Sequence, residues 1–169
     1  LVCVAHGSNV TGTVQDIVAI GQVCSNVPLL VDAAQTMGHT DIDVQAMNIA
    51  LLAFPGHKGL LGPLGTGGLI IQDGVEKVLE PHRFGGTGSA SEFPVQPTYL
   101  PDKYESGSHN MIGIKGLAAS VEWILSNGVQ SLHEQEMNLC NLFIDLLGNV
   151  SRVKIVGPLS NEHRCGVFS

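Results

Sequence analysis

A lysine stands directly after Gly-His in "FPGHKGLLGPLGTGG" (residues 54–68), and five glycines crowd the ten residues that follow it. Desolvation lowers the pKa of a lysine and makes its amine a Schiff-base nucleophile at neutral pH, so Lys58 has the type of group and the setting for covalent chemistry. Taken alone, Lys58 reads as a surface charge, and His57 as a structural histidine. Asp32 closes the apolar run "PLLV" and precedes Ala33-Ala34, which predicts a desolvated carboxylate. Such a group needs a cation or strong hydrogen bonds, unless it merely caps a turn. Gln35, three residues on, could serve the same ligand or sit in a solvated turn. A third polar stretch, "HGSNVTG" (6–12), follows the apolar start of the chain.

The elements that must position these groups read as an α/β fold. "LVCVA" (1–5), "VPLLVD" (27–32), "NIALLAF" (48–54) and "GGLIIQ" (67–72) read as strands, the second and third as near-continuous apolar runs suited to a sheet covered on both faces. From Thr13 the spacing of Val14, Ile17, Val18, Ile20 and Val23 predicts a helix with Asp16 in its first turn. Residues 81–110, rich in Gly, Pro and Ser, form a loop long enough to suggest a function, with residues 81–101 open to a role as a site cover or a dimer contact. Helical patterns occupy 111–126 and 130–148 with a stop at Asn127-Gly128, and "RVKIVG" (152–157) alternates like a half-exposed strand. Open α/β sheets bind ligands beyond the carboxyl ends of their strands. Three such ends here run into "HGSN", "DAAQ" and "FPGHK".

Composition removes several classes of function. A net charge of -7 over 169 residues, with no basic cluster, argues against nucleic acid. No apolar run approaches the roughly 20 residues of a membrane span. Cys3, Cys24, Cys140 and Cys165 lie far apart without CxxC spacing, the pattern of reduced, cytoplasmic, structural thiols. The seven histidines show no HExxH or paired spacing, so no metal site is expected. "GPLGTGG" lacks the Lys-Ser/Thr of a phosphate loop and runs on into a strand, and "FGGTGS" (84–89) reads as a flexible loop. A chain that opens mid-strand and closes on "GVFS" reads as part of something longer.

The order "HGSNVTG", "LLVDAAQTMGH", "LLAFPGHKGLLGPLGTGGLII", then "YESGSHN" before a helix resembles the class V aminotransferases, a family of pyridoxal-phosphate enzymes, and most of all their cysteine desulfurase branch. The likeness runs along essentially the whole chain. It implies fold type I, with residues 1–127 forming the later half of the large cofactor-binding domain and 128–169 the start of the small C-terminal domain. It also implies that Lys58 is catalytic, carrying pyridoxal 5'-phosphate as a Schiff base and then shuttling protons at the substrate's α-carbon. Asp32 would pair with the protonated pyridine nitrogen and strengthen the ring as an electron sink. Gln35 would bond the phenolic oxygen, His57 would lie against the phosphate, and Asn9 would sit on the substrate side. "ESGS" resembles a loop that crosses a homodimer interface, so Gly107 and Ser108 would reach the phosphate of the partner's site.

Two departures stand out. Many relatives carry a phosphate-binding serine where this chain has Pro55, which offers neither hydroxyl nor N–H; one branch shares the proline, so rearranged phosphate contacts are expected. Ser108 replaces a commoner threonine and keeps the hydroxyl. The resemblance places a ring-stacking residue upstream, and a carboxylate-binding arginine and persulfide cysteine downstream. The activity implied is removal of sulfur from L-cysteine, giving L-alanine and an enzyme persulfide passed to an acceptor protein. Selenocysteine lyases and true aminotransferases share every motif seen here. A truncated, non-catalytic domain that binds no cofactor is the reading from a different class, and the isolated chain is expected to be inactive.

Overall fold

A computed structural model describes residues 1–86 and 89–169, so the middle of "FGGTGS" lies outside the described residues. Four strands form one mixed sheet in sequence order: β1 (Val2–Ala5), β2 (Leu29–Asp32), β3 (Leu51–Pro55) and β4 (Gly67–Ile71). The first three run parallel and β4 returns antiparallel along β3. Pro55 falls beyond the last β2–β3 pair, Asp32↔Ala53, so that ladder loses no N–H to it.

Helix α1 (Ile17–Val23) is shorter than the apolar spacing predicts. Asp16 is its N-cap rather than a first-turn residue, with Oδ1 accepting the Ala19 N–H at 3.0 Å. The residues before it are drawn into extended pairings, Val14 with Gly7 and Thr13 with Arg164. Between β2 and β3 the chain makes turns rather than a helix, the second of them started by Asp43 Oδ1, which accepts from Gln45 and Ala46.

The main core cluster packs against the sheet, and Leu51, beside Leu52 in β3, is buried as well. Ile17, Leu29, Val31, Ala33, Ile49 and Leu52 are buried together, with Val2, Val4, Ile20 and Phe54 packed around them. Other parts of the sheet are more open than near-continuous apolar runs predict. In β1 burial alternates, and most of β4 is exposed, including Leu69 and Ile70.

Two long helices follow the 81–110 loop. Helix α2 (Met111–Asn127) is capped by Asn110 and stops at Gly128, whose φ of 85° ends the helical path; α3 (Val129–Gly148) starts at once. Residues 152–157 form no strand: their alternation finds no neighbouring strand to complete a ladder. The loop itself is tied down, with Tyr104 Oη donating to Leu79 O (2.8 Å) and Lys103 Nζ to Glu76 O (2.6 Å). No helix among the described residues is long and apolar enough to cross a membrane.

Candidate active site

The parallel register aligns Ala5, Asp32 and Ala53 across three strands, so the segments that continue from them leave the sheet at one edge. Asn9 lies four residues past the end of β1, Gln35 three past β2, and His57 and Lys58 just past β3. This is the carboxyl edge at which α/β sheets collect ligand-binding groups.

Each segment is shaped by local bonds. In the Asn9 loop, Ser8 Oγ accepts the N–H groups of Val10 (3.2 Å) and Thr11 (3.1 Å), leaving Asn9 exposed at the tip. Asp32 Oδ1 accepts from Ala34 N–H at 2.8 Å, which turns the chain sharply out of β2. Asp32 is exposed, against the expectation of a desolvated carboxylate. Its physical reason is strand alternation: Leu29 and Val31 point into the core, and Asp32 ends β2 on the less covered side.

The lysine turn closes through Leu61 N–H to Lys58 O and Gly62 N–H to Gly56 O, both 2.8 Å. His57 and Lys58 project from it into solvent, and Lys58 takes part in neither ion pair of the described residues. The glycines serve packing as much as turning. A Cβ on Gly56 would run into Thr66 Oγ1, and one on Gly62 would come within 2.7 Å of Leu117 Cδ1 on α2. Helix α2 thus lies against the turn, and its Ser120 hydroxyl donates to Leu61 O at 3.1 Å.

Gly107 (φ 94°) and Ser108 stand elsewhere in the chain path, on the exposed lead into α2, where Gly107 N–H donates to Gly86 O at 2.6 Å. They belong to the 81–110 loop rather than to the strand ends.

Behind the exposed edge is a buried polar cluster to which the sequence reading assigned no role. His6, 4% exposed, places Nδ1 2.9 Å from Thr36 Oγ1, and Thr36 is fully buried directly after Gln35. Burial and, secondarily, His39 hold the His6 imidazole below its ordinary pKa. His39 Nδ1 lies 2.7 Å from Glu136 Oε2 on α3, and Glu136 Oε1 accepts the Gly166 N–H at 2.7 Å. Burial alone would raise the Glu136 carboxyl, but His39, the Gly166 amide and His133 outweigh it and hold the carboxyl below its usual range. His6 and His39 stand inside the quoted motifs "HGSNVTG" and "DAAQTMGH"; nothing local in the sequence marks Glu136 as their partner.

The C-terminal segment completes this base. Cys165 N–H donates to Gly12 O at 2.8 Å, and Arg164 is buried, donating to Pro158 O (2.6 Å) and Val167 O (2.9 Å) with its guanidinium 3.9 Å over the Phe168 ring. Burial pushes the Cys140 and Cys165 thiols up, so both stay protonated, as packing thiols do. Cys3 is exposed on β1, and none of the four is bonded to another. No group of His, Cys, Asp and Glu among the described residues could hold a metal ion.

The arrangement offers an accessible amine, a carboxylate with one oxygen engaged by the backbone, an amide and an imidazole at one sheet edge. That donor set fits an aldehyde-bearing, nitrogen-containing phosphate cofactor better than a metal: the amine can bond the aldehyde, and the carboxylate can pair with a ring N–H.

Comparison with known proteins identifies the family and the fold. The sequence profile of the aminotransferase class-V family matches residues 1–169. A probable cysteine desulfurase of Methanothermobacter thermautotrophicus is 37% identical over 173 residues, covering 100% of this chain and 43% of its own length. One from Pyrococcus abyssi is 33% identical over 174 residues, with the same two coverages. The apo structure of a cysteine desulfurase from Thermococcus onnurineus NA1 superposes with a TM-score of 0.88 at 30% identity, over 99% of this chain and 42% of that one. The cysteine desulfurase CsdA (S-sulfonic acid) from Escherichia coli does so at 0.78 with 26% identity, over 94% and 41%. The chain therefore spans less than half the length of these relatives, and its mixed sheet with flanking helices is the fold-type I α/β architecture. With the profile matched from end to end, the chain belongs to the class-V aminotransferase family.

Proposed function

We propose that this chain is the lysine-bearing part of a pyridoxal-phosphate enzyme that removes sulfur from L-cysteine. L-Alanine leaves, and the sulfur stays on an enzyme thiol as a persulfide for an acceptor protein. The observation that supports this reading is the parallel register of β1–β3, which aligns Ala5, Asp32 and Ala53, so that the segments carrying Gln35 and Lys58 follow from the same end of the sheet. The named relatives supply the substrate class.

The cofactor, when bound, supplies an electron sink that stabilises negative charge at the substrate's α-carbon. Lys58 Nζ is the amine that would hold its aldehyde carbon and would move the proton at the substrate's Cα. Asp32 would keep the ring nitrogen protonated, and Gln35 would bond the phenolic oxygen. His57 would lie against the phosphate, and Asn9 would sit on the substrate side. Pro55 would offer the phosphate neither hydroxyl nor N–H, so weaker or rearranged phosphate contacts are expected there. Gly107 and Ser108 serve the partner subunit of a homodimer, which suits their exposure on a loop apart from the strand ends. Residues 1–127 act as the cofactor-binding part and 128–169 begin the smaller domain, with the Gly128 break between α2 and α3 as the division. A cytoplasmic setting suits four unpaired thiols.

The test is the visible absorption gained on adding pyridoxal phosphate to the wild type, to Lys58→Ala and to Asp32→Asn. Wild type should gain a band that Lys58→Ala lacks, with Asp32→Asn binding more weakly. An identical spectrum in all three would sink the assignment. The isolated 169-residue chain should release no alanine from cysteine, and sustained turnover by it would refute that part.

A further inference from the structure

The groups assigned to chemistry are exposed, but the turn that carries them rests on a buried pair that the proposed mechanism does not use. The ring of His39 closely approaches Gly59, the residue after Lys58. A Cβ on Gly59 would come within 2.7 Å of His39 Cδ2 and 3.1 Å of Nε2, and would run into the Met37 carbonyl oxygen. The same ring meets Glu136 through its Nδ1, which is 2.7 Å from Oε2, while Oε1 accepts from Gly166 N–H. Both side chains are sheltered, at 18% and 24% exposure. A continuous line of contact therefore runs from the lysine turn through His39 to α3 and the C-terminal segment.

The turn has reason to need a brace. Leu61 sits in the left-handed region at φ 57°, a conformation that costs a non-glycine residue on the order of 1 kcal/mol and persists only when the surroundings hold it. Helix α2 supports one side through Leu117 and Ser120, and His39 supports the Gly59 side.

We propose that Glu136, acting through His39, is a positioning residue for Lys58: the pair clamps turn 56–62 onto α3 and residues 164–166, setting the path along which the lysine leaves β3. This rests on reading Lys58 as the reactive amine. The groups around the pair are His133 on α3, His6 beyond β1, Arg164 and Cys165 on the C-terminal segment, and Cys140 on α3. Among them Glu136 is the carboxylate, and its charge is present through the neutral range. Protonating it in acid removes the clamp's anionic half.

Amide hydrogen exchange on the intact protein, corrected for intrinsic rates, tests the clamp. In Glu136→Gln the amides of Leu61 and Gly62 should exchange about tenfold faster, while Val4 and Val31 in the sheet core keep their wild-type protection. His39→Gln should do the same. In the wild type, protection at those two amides should fall selectively as pH drops through the Glu136 range, and Glu136→Gln should show no such step. Unchanged turn protection in both variants overturns the clamp, and so does an equal loss across the whole chain. If neither variant folds, the wild-type pH series decides alone. Borohydride trapping of pyridoxal phosphate, scored in parallel, separates the two claims. Selective loosening with no trapping at Lys58 leaves the clamp and removes the functional reading. Trapping at Lys58 with an unaltered turn removes the clamp.

Discussion

Gly59 and Lys58 are neighbours with opposite demands, one needing no side chain and the other a long one. The sequence shows the lysine as chemistry and the glycine as spacing; the structure gives the glycine its own reason, the close approach of the Met37 carbonyl and the His39 ring. Gly59→Ala should therefore cost about 1–3 kcal/mol, because the Met37 carbonyl is backbone and cannot step aside. Urea unfolding measures this, and a change of less than about 0.5 kcal/mol, the range of an ordinary surface substitution, would contradict it. Asp32 teaches the reverse lesson. Its position at a strand end was legible, but its exposure was not, because the run before it, "PLLV", reads as uniformly apolar while the strand alternates its faces.

At the scale of elements, periodicity worked where an element's partners are its own neighbours. The two long helices and their break at Gly128 were readable from spacing and one glycine. It failed where pairing with remote residues decides. Residues 152–157 alternate correctly for a strand that meets no ladder, and Thr13–Val14 join Arg164 and Gly7 instead of starting α1. Helix α2 is the element on which the site leans hardest, since it backs the glycine-rich turn. Its N-cap is Asn110, whose Oδ1 accepts the Gly113 N–H at 3.0 Å. Asn110→Ala should lower stability by about 1 kcal/mol in urea unfolding. Asn110→Ser should recover most of that loss; equal destabilisation by both would mean that the cap is not the cause.

Across the whole molecule, the buried polar cluster joins β1, the turn after β2, α3 and the C-terminal segment, and it ties stability to pH. His6 has its pKa depressed below 6.5 by burial, so the unfolded chain takes up a proton that the folded one resists. Stability from this group is full above 6.5 and declines as pH falls from there toward the folded value. Glu136 is depressed below 4.5, so its contribution is present above 4.5 and lost as pH falls through its folded value. Both act in the same direction, and the urea midpoint should drop in two stages on acidification. His6→Gln should flatten the upper stage and Glu136→Gln the lower one; a midpoint that rises with acid would reverse the sign and contradict the cluster's role. This network was the least legible feature of the sequence, because its members are far apart in the chain and only folding brings them together.

The central claim is that one amine among five lysines is set at the sheet edge to take the cofactor. Reduction with borohydride after adding pyridoxal phosphate, followed by peptide mass mapping, asks this directly. A reduced adduct concentrated on Lys58, and absent when Lys58 is replaced by alanine, is the result this geometry predicts. Adducts spread evenly over Lys58, Lys77, Lys103, Lys115 and Lys154 would show an edge with no special chemistry and would contradict it.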